Sequence, residues 1–138
     1  MTHDLERFIT AQESIYEKVL LELKAGHKYL HWMWYIFPQF DGLGYSNRAK
    51  FYAIKSIAEA EAYLAHPILG ERLIECSQLL LNIENRSISR ILGYPDDLKL
   101  QSSMTLFARV SDNPLFKEVL ENYFEGEEDE KSLRLMGI

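Results

Sequence analysis

One apolar stripe constrains the fold of this chain more than any other feature. Between Pro67 and about Asn85, apolar residues recur at spacings of four, three, four and three. That period places them on one face of an α-helix. Pro67 can open the helix because a first helical position needs no backbone N–H. The members of the stripe are Leu69, Leu73, Cys76, Leu80 and Ile83.

Further helical segments flank this stripe on both sides. "SIAEAEAYLAHP" begins with a capping box, in which Ser56 and Glu59 satisfy each other's backbone N–H groups. Gly26 ends "SIYEKVLLELKAG" as a C-terminal cap would. With "DLERFITAQ", "SISRILG" and the segments that open at Pro95 and Pro114, these patterns predict a mainly α-helical protein. We expect one compact domain over residues 1–138, with about six or seven helices.

Residues 29–37 are the exception, since "YLHWMWYIF" is apolar almost all round and shows no helical stripe. A buried strand and a buried helix both fit so short a run. Aromatic residues slightly favour the strand, which allows a small two-stranded β element near residues 30–54. The choice between strand and helix stays open.

Composition restricts the classes of partner. The formal net charge is −6, which argues against a nucleic-acid binder because such proteins usually present a basic face. Cys76 is the single cysteine, so we expect a cytoplasmic protein without an intrachain disulfide. No apolar run is long enough for a bilayer, and we predict no membrane, no metal site and no cofactor. The oligomeric state is left open.

The aromatic segment is the first candidate for a site. In a strand, Trp32 and Trp34 would share one face and form a wall on which a planar ring can stack. His31 lies beside them and would be the acid or base. The alternative is that both indoles belong to the core. Gln39 and Ser46, in the following "PQFDGLGYSN" turn, add polar groups that can bind a ligand.

The helix that opens at Pro95 is the second candidate. Lys99 shares a face with Ser102 and Ser103, and a cation beside hydroxyl groups can hold a phosphate or a ribose. Serine and threonine are unfavourable inside helices, so helix formation does not explain "QSSMT". Its ligand-binding candidates are Lys99, Ser102, Ser103 and Thr105, and its candidate catalytic carboxylates are Asp96 and Asp97. A solvated helix face is the alternative. We expect any pocket between this helix and the aromatic segment.

Several long motifs carry a family resemblance. "HWMWYIFPQFDGLGYSN", "EAEAYLAHPILGERL" and "ILGYPDDLKLQSSMTLF" resemble the bacterial domain of unknown function family 1810, from about Leu5 to Leu135. The resemblance implies a mainly helical, intracellular protein and implies no particular activity. Some members are called calpastatin, but calpastatin-like inhibitors are disordered polar repeat chains, unlike this one.

The layout of the chain is also similar to that of the NADAR family, which is linked to nucleotide and ADP-ribose metabolism. That similarity implies binding or N-glycosidic hydrolysis of a nucleotide-like molecule. The family's glutamate-containing aromatic motif is absent here, since the segment reads His31, Trp32, Met33, Trp34. Two hypotheses follow. The chain binds or processes a nucleotide-like small molecule, or it is a non-catalytic protein-interaction module with the aromatic segment in its core.

Overall fold

Residues 4–138, which the structure describes, form ten α-helices in this computed structural model. They are α1 Glu6–Glu13, α2 Tyr16–Ala25, α3 Met33–Ile36, α4 Asn47–Phe51, α5 Ile57–Ala65, α6 Leu69–Asn82, α7 Ile88–Leu92, α8 Asp96–Val110, α9 Leu115–Phe124 and α10 Glu130–Met136.

Helix α6 carries the predicted stripe and lies at the centre of the fold. It packs against α2, α5 and α9, and all its stripe residues from Leu69 to Leu80 are buried. His66 stabilises the turn before the helix, because its Nδ1 accepts the backbone N–H groups of Ile68 at 3.1 Å and Leu69 at 3.3 Å. Burial of this stripe in the core contributes to stability in proportion to the apolar area it removes from water.

Gly70 allows α5 and α6 to approach each other closely. A Cβ atom at this position would lie 2.1 Å from the carbonyl oxygen of Leu64, well inside van der Waals contact. Only glycine therefore fits here without moving the α5 backbone.

Helix α8 is the second long element and positions the candidate site. It packs against α5, α7, α9 and α10, and Leu100, Met104 and Phe107 are fully buried as its pattern predicts. The Phe107 ring lies 5.6 Å from that of Tyr63 and 5.9 Å from that of Phe116, centroid to centroid. These ring contacts join α5, α8 and α9 in one core. No helix in residues 4–138 is long and apolar enough to cross a membrane.

The mainly α-helical, compact single domain is confirmed, but the predicted count of six or seven helices is wrong. Helices α3 and α4 span four and five residues, too few for an apolar stripe to repeat. The expected β element is also wrong, because residues 4–138 contain no strand. Phe40 and Ile54 form only an isolated parallel bridge, with Ile54 N–H donating to Gln39 O at 2.8 Å and Asp41 N–H to Ile54 O at 2.9 Å.

The buried thiol of Cys76 leads to a pH prediction. Burial raises the pKa of Cys76 to about 12, whereas an exposed thiol titrates near about 8.5. Above about pH 8.5 the unfolded chain therefore loses this proton while the folded chain keeps it. We expect this thiol to contribute a fall in the free energy of unfolding of about 1.4 kcal/mol per pH unit between about pH 9 and 10.

Urea unfolding of the wild type and Cys76→Ala over this pH range measures the effect. The variant is expected to be less stable at neutral pH, but with a shallower dependence on pH. Equal slopes for the two proteins would contradict the assignment.

Candidate functional site

A cavity of about 460 Å³ lies between the turn after the aromatic segment and the first half of α8. Trp34, Gln39 and the stretch 43–46 form one side, and the face of α8 from Leu98 to Ser102 forms another. Asp129 and Lys131, at the start of α10, also line the cavity. This is the place where the sequence predicts a pocket, and we call it the Trp34 cavity.

Two cations lie against the indole of Trp34. Lys99 Nζ is 5.0 Å from the ring centroid, and the guanidinium carbon of Arg48 is 5.3 Å from it. Both distances are within the range of cation–π attraction. Lys99 comes from α8 and Arg48 from α4, which is capped by Ser46 through its hydroxyl, the acceptor of the Ala49 N–H at 3.1 Å. The half-buried indole therefore joins two separate elements at the cavity wall.

A second aromatic residue with a cation stands at the rim. The Tyr45 side chain is 77% exposed, and Lys131 Nζ lies 5.8 Å from its ring centroid. Leu98 adds a partly exposed apolar side chain to the same rim. The cavity thus offers flat apolar surfaces with ammonium groups beside them, which is suited to a planar ligand that carries negative charge.

The cavity brings together five of the predicted ligand-binding residues from three segments, namely Trp34, Gln39, Ser46, Lys99 and Ser102. Gln101 adds a further side-chain amide, and its Nε2 also donates to Glu127 O at 3.0 Å.

Trp32 does not share the cavity with Trp34. Its side chain is fully buried, and its Nε1–H donates to Glu22 Oε1 at 3.0 Å. Because residues 33–36 are helical, positions two apart point in nearly opposite directions, and the expected wall of two indoles does not form. Of the two interpretations, ligand wall and core packing, the structure supports core packing for Trp32.

The candidate catalytic residues lie outside the cavity lining. His31 is exposed, and its carbonyl oxygen accepts the Tyr35 hydroxyl at 3.4 Å. Asp97 is buried and accepts the Ser89 hydroxyl at 2.7 Å. Asp96 binds two lysines, with its carboxylate oxygens 2.8 Å from Lys28 Nζ and 3.4 Å from Lys99 Nζ. The structure brings none of the three to a position facing the cavity.

The three hydroxyl-bearing residues of "QSSMT" are buried in the fold. Thr105 Oγ1 donates to Gln101 O at 2.8 Å and accepts the Asp129 N–H at 2.9 Å. Ser102 Oγ lies 3.2 Å from Asp129 Oδ2 and 3.3 Å from Leu98 O, both of which can accept its proton. Ser103 Oγ is buried without a hydrogen-bond partner among the described residues. Two of these hydroxyls therefore hold the start of α10 against α8.

Asp129 and Lys131 are lining residues that the sequence analysis missed. They belong to the acidic C-terminal end, whose charges resemble a solvated surface. Asp129 caps α10 by accepting the Ser132 N–H at 3.0 Å and the Ser132 hydroxyl at 2.5 Å. An aspartate three residues before a serine at a helix start is an N-cap signal and could have placed this turn.

Two other cavities each contain an arginine that already has a partner. One of about 480 Å³ contains Arg109, which binds Glu128 through two contacts of 2.6 and 2.7 Å. Another of about 430 Å³ contains Arg86, which donates to Gly26 O at 2.8 Å. No group of three or more His, Cys, Asp or Glu side chains within residues 4–138 is arranged to hold a metal ion. The Trp34 cavity is our candidate site, because five of the predicted ligand-binding residues line it.

The fold is that of a small helical domain, and its candidate site lies between the aromatic segment and the long helix α8. The chain belongs to the family described as protein of unknown function DUF1810, whose model matches residues 2–136.

The chain is also similar to the conserved hypothetical protein Rv1873 from Mycobacterium tuberculosis, known from a crystal structure at 1.38 Å. Sequence identity is 51%, the TM-score is 0.96, and the match covers 98% of this chain and 97% of that one. No curated protein matches the chain. The similarity in layout to the NADAR family stays a prediction, since neither description refers to it.

The two tryptophans should differ in their effects on stability. Trp32→Phe removes buried volume and leaves Glu22 without the indole N–H, so we expect a loss of about 2 kcal/mol. Trp34→Phe, at the cavity wall, is expected to cost less than about 1 kcal/mol. Chemical denaturation of the two variants measures both values, and equal losses would contradict the placement of Trp32 in the core and Trp34 at the cavity.

Proposed function

We propose that this protein binds a small anionic ligand with a planar ring, of the nucleotide or ADP-ribose kind, in the Trp34 cavity. The observation that carries the proposal is the contact between Trp34 and Lys99, both of which line the cavity. A phosphate held by Lys99 puts the rest of the ligand against the indole. A volume of about 460 Å³ also fits the range of small-molecule sites.

The local charge supports an anion. Lys99 and Lys131 line the cavity, and Arg48 lies on the Trp34 ring, although the whole chain carries −6. Asp129 supplies the one negative side chain of the lining, and its Oδ2 already accepts hydrogen bonds at the α10 cap. A positive cavity on an acidic protein attracts anions to one place. We also propose that the protein is cytoplasmic, because a single cysteine fits a reducing compartment.

The lining favours binding over hydrolysis. N-glycosidic cleavage needs a carboxylate near the sugar carbon, and Asp129 is the carboxylate that the lining offers. Its engagement with Ser132 and proximity to Ser102 suit a structural cap better than a general base. We therefore propose a binding protein, with the side-chain amides of Gln39 and Gln101 as the groups that select ribose and base.

The alternative of a protein-interaction module has one observation in its favour. Tyr45, Tyr94 and Leu98 are large apolar side chains with exposures of 77%, 80% and 49%. Tyr45 and Leu98 flank the cavity, and exposed apolar residues of this kind often mark contact surfaces. In this alternative the cavity receives a side chain of a partner protein.

Calorimetric titration with ADP, ADP-ribose and NAD tests the small-molecule proposal. We expect at least one of them to bind, and Lys99→Met to weaken that binding by about tenfold or more because it removes the phosphate partner. The matched control is Lys18→Met, at an exposed position on α2, which should bind within about twofold of the wild type. No binding by any of the three, or equal binding by Lys99→Met, would overturn the proposal.

A further inference from the structure

A buried lysine lies behind the cavity without lining it. The Lys28 side chain is 6% exposed, and its ammonium group lies 5.1 Å from the centroid of the Trp32 ring. Its backbone N–H donates to Ile91 O at 2.7 Å, which ties the segment after α2 to α7. Burial of a charged ammonium is costly unless an anion compensates it. The compensating group here is Asp96, whose Oδ2 is 2.8 Å from Lys28 Nζ.

Asp96 is shared between this buried lysine and the cavity lysine. Its Oδ1 lies 3.4 Å from Lys99 Nζ, which is one helical turn further along α8. The contact with Lys28 is the shorter of the two, and the Lys28 side chain is less exposed than that of Lys99, at 6% against 25%. Charge attraction increases as the distance and the local dielectric constant fall. Asp96 is therefore compensated mainly by Lys28.

The net charge of these three side chains determines how strongly the cavity attracts an anion. Lys28, Asp96 and Lys99 together carry one positive charge, and Lys99 is the member that lines the cavity. We infer that Lys28 is a positioning residue for anion binding, because it neutralises Asp96 and leaves the charge of Lys99 to the ligand. This inference rests on the function proposed above and adds a residue that touches neither the cavity nor the ligand.

The sign of the effect separates this role from simple packing. In Lys28→Met, Asp96 has Lys99 as its cationic partner, so the cluster becomes neutral and a phosphate is attracted less. In Lys28→Met combined with Asp96→Asn, the negative charge is also gone and Lys99 again carries one free positive charge. Recovery of binding in the double variant is expected from charge compensation and not from loss of packing.

The experiment is a titration of the wild type, Lys28→Met, Asp96→Asn and the double variant with ADP and with adenosine. We expect Lys28→Met to bind ADP about five- to tenfold more weakly and adenosine unchanged, since adenosine has no phosphate. The double variant should return to within about twofold of the wild type, and Asp96→Asn should bind ADP at least as tightly as the wild type. Lys18→Met is the charge-matched control, and thermal unfolding verifies that each variant is folded.

Two results would overturn the inference while the proposed function stands. One is ADP binding by Lys28→Met that equals the wild type. The other is a double variant as weak as Lys28→Met. A wild type that binds none of ADP, ADP-ribose and NAD overturns the proposed function, and the inference fails with it.

Discussion

The candidate site depends on one carboxylate oxygen, Oε1 of Glu22 near the end of α2. It accepts three N–H groups, from the backbone of Tyr29 at 2.8 Å, the backbone of Leu30 at 3.1 Å and the indole of Trp32 at 3.0 Å. Hydrogen bonds to an ionised acceptor are among the stronger ones in proteins. Together they fix the segment that follows α2 and bring Trp32 into the core.

The position of Trp32 determines where both Lys28 and Trp34 lie. Its ring supports the Lys28 ammonium, and the short helix α3 that follows it turns Trp34 away from the core toward α8. Lys28 and Trp34 then meet the same stretch of α8, one through Asp96 and the other through Lys99. The aromatic segment is thus neither wholly core nor wholly site. Trp32, Met33, Ile36 and Phe37 are buried in the core, whereas Trp34 lines the cavity.

The longer helices were predictable because their apolar residues recur at helical spacing in the sequence. The α6 stripe from Leu69 to Leu80 spans enough turns to be unambiguous, and the Ser56 hydroxyl accepts the Glu59 N–H at 3.1 Å as the capping box predicts. Helices α3 and α4 were not predictable from pattern, since four or five residues contain too little of a period. The choice between Trp32 and Trp34 depends on Glu22, ten residues earlier in the chain, and no local pattern shows that contact.

The site was half predictable for the same reason. The location between the aromatic segment and "KLQSSMT" followed from the aromatic and polar residues of these two segments, and five of the predicted ligand-binding residues line the cavity. Asp97 and Thr105 were predicted as site residues on the same grounds, but their oxygens hold α7 and the start of α10 in place. Lys131 was missed because a cation in an acidic tail gives no sign of the aromatic ring beneath it. Only the tertiary contacts show which of these residues line the cavity and which stabilise the fold.

The central claim is that Trp34 faces a ligand site while Trp32 does not, and the indole N–H signals of the chain test it directly. The protein has two tryptophans, so a nitrogen–proton NMR spectrum contains two indole resonances, which single substitutions assign. On addition of ADP, the account predicts a large shift of the Trp34 resonance and little change in that of Trp32. Movement of the Trp32 resonance alone, or of neither at millimolar ADP, would contradict it.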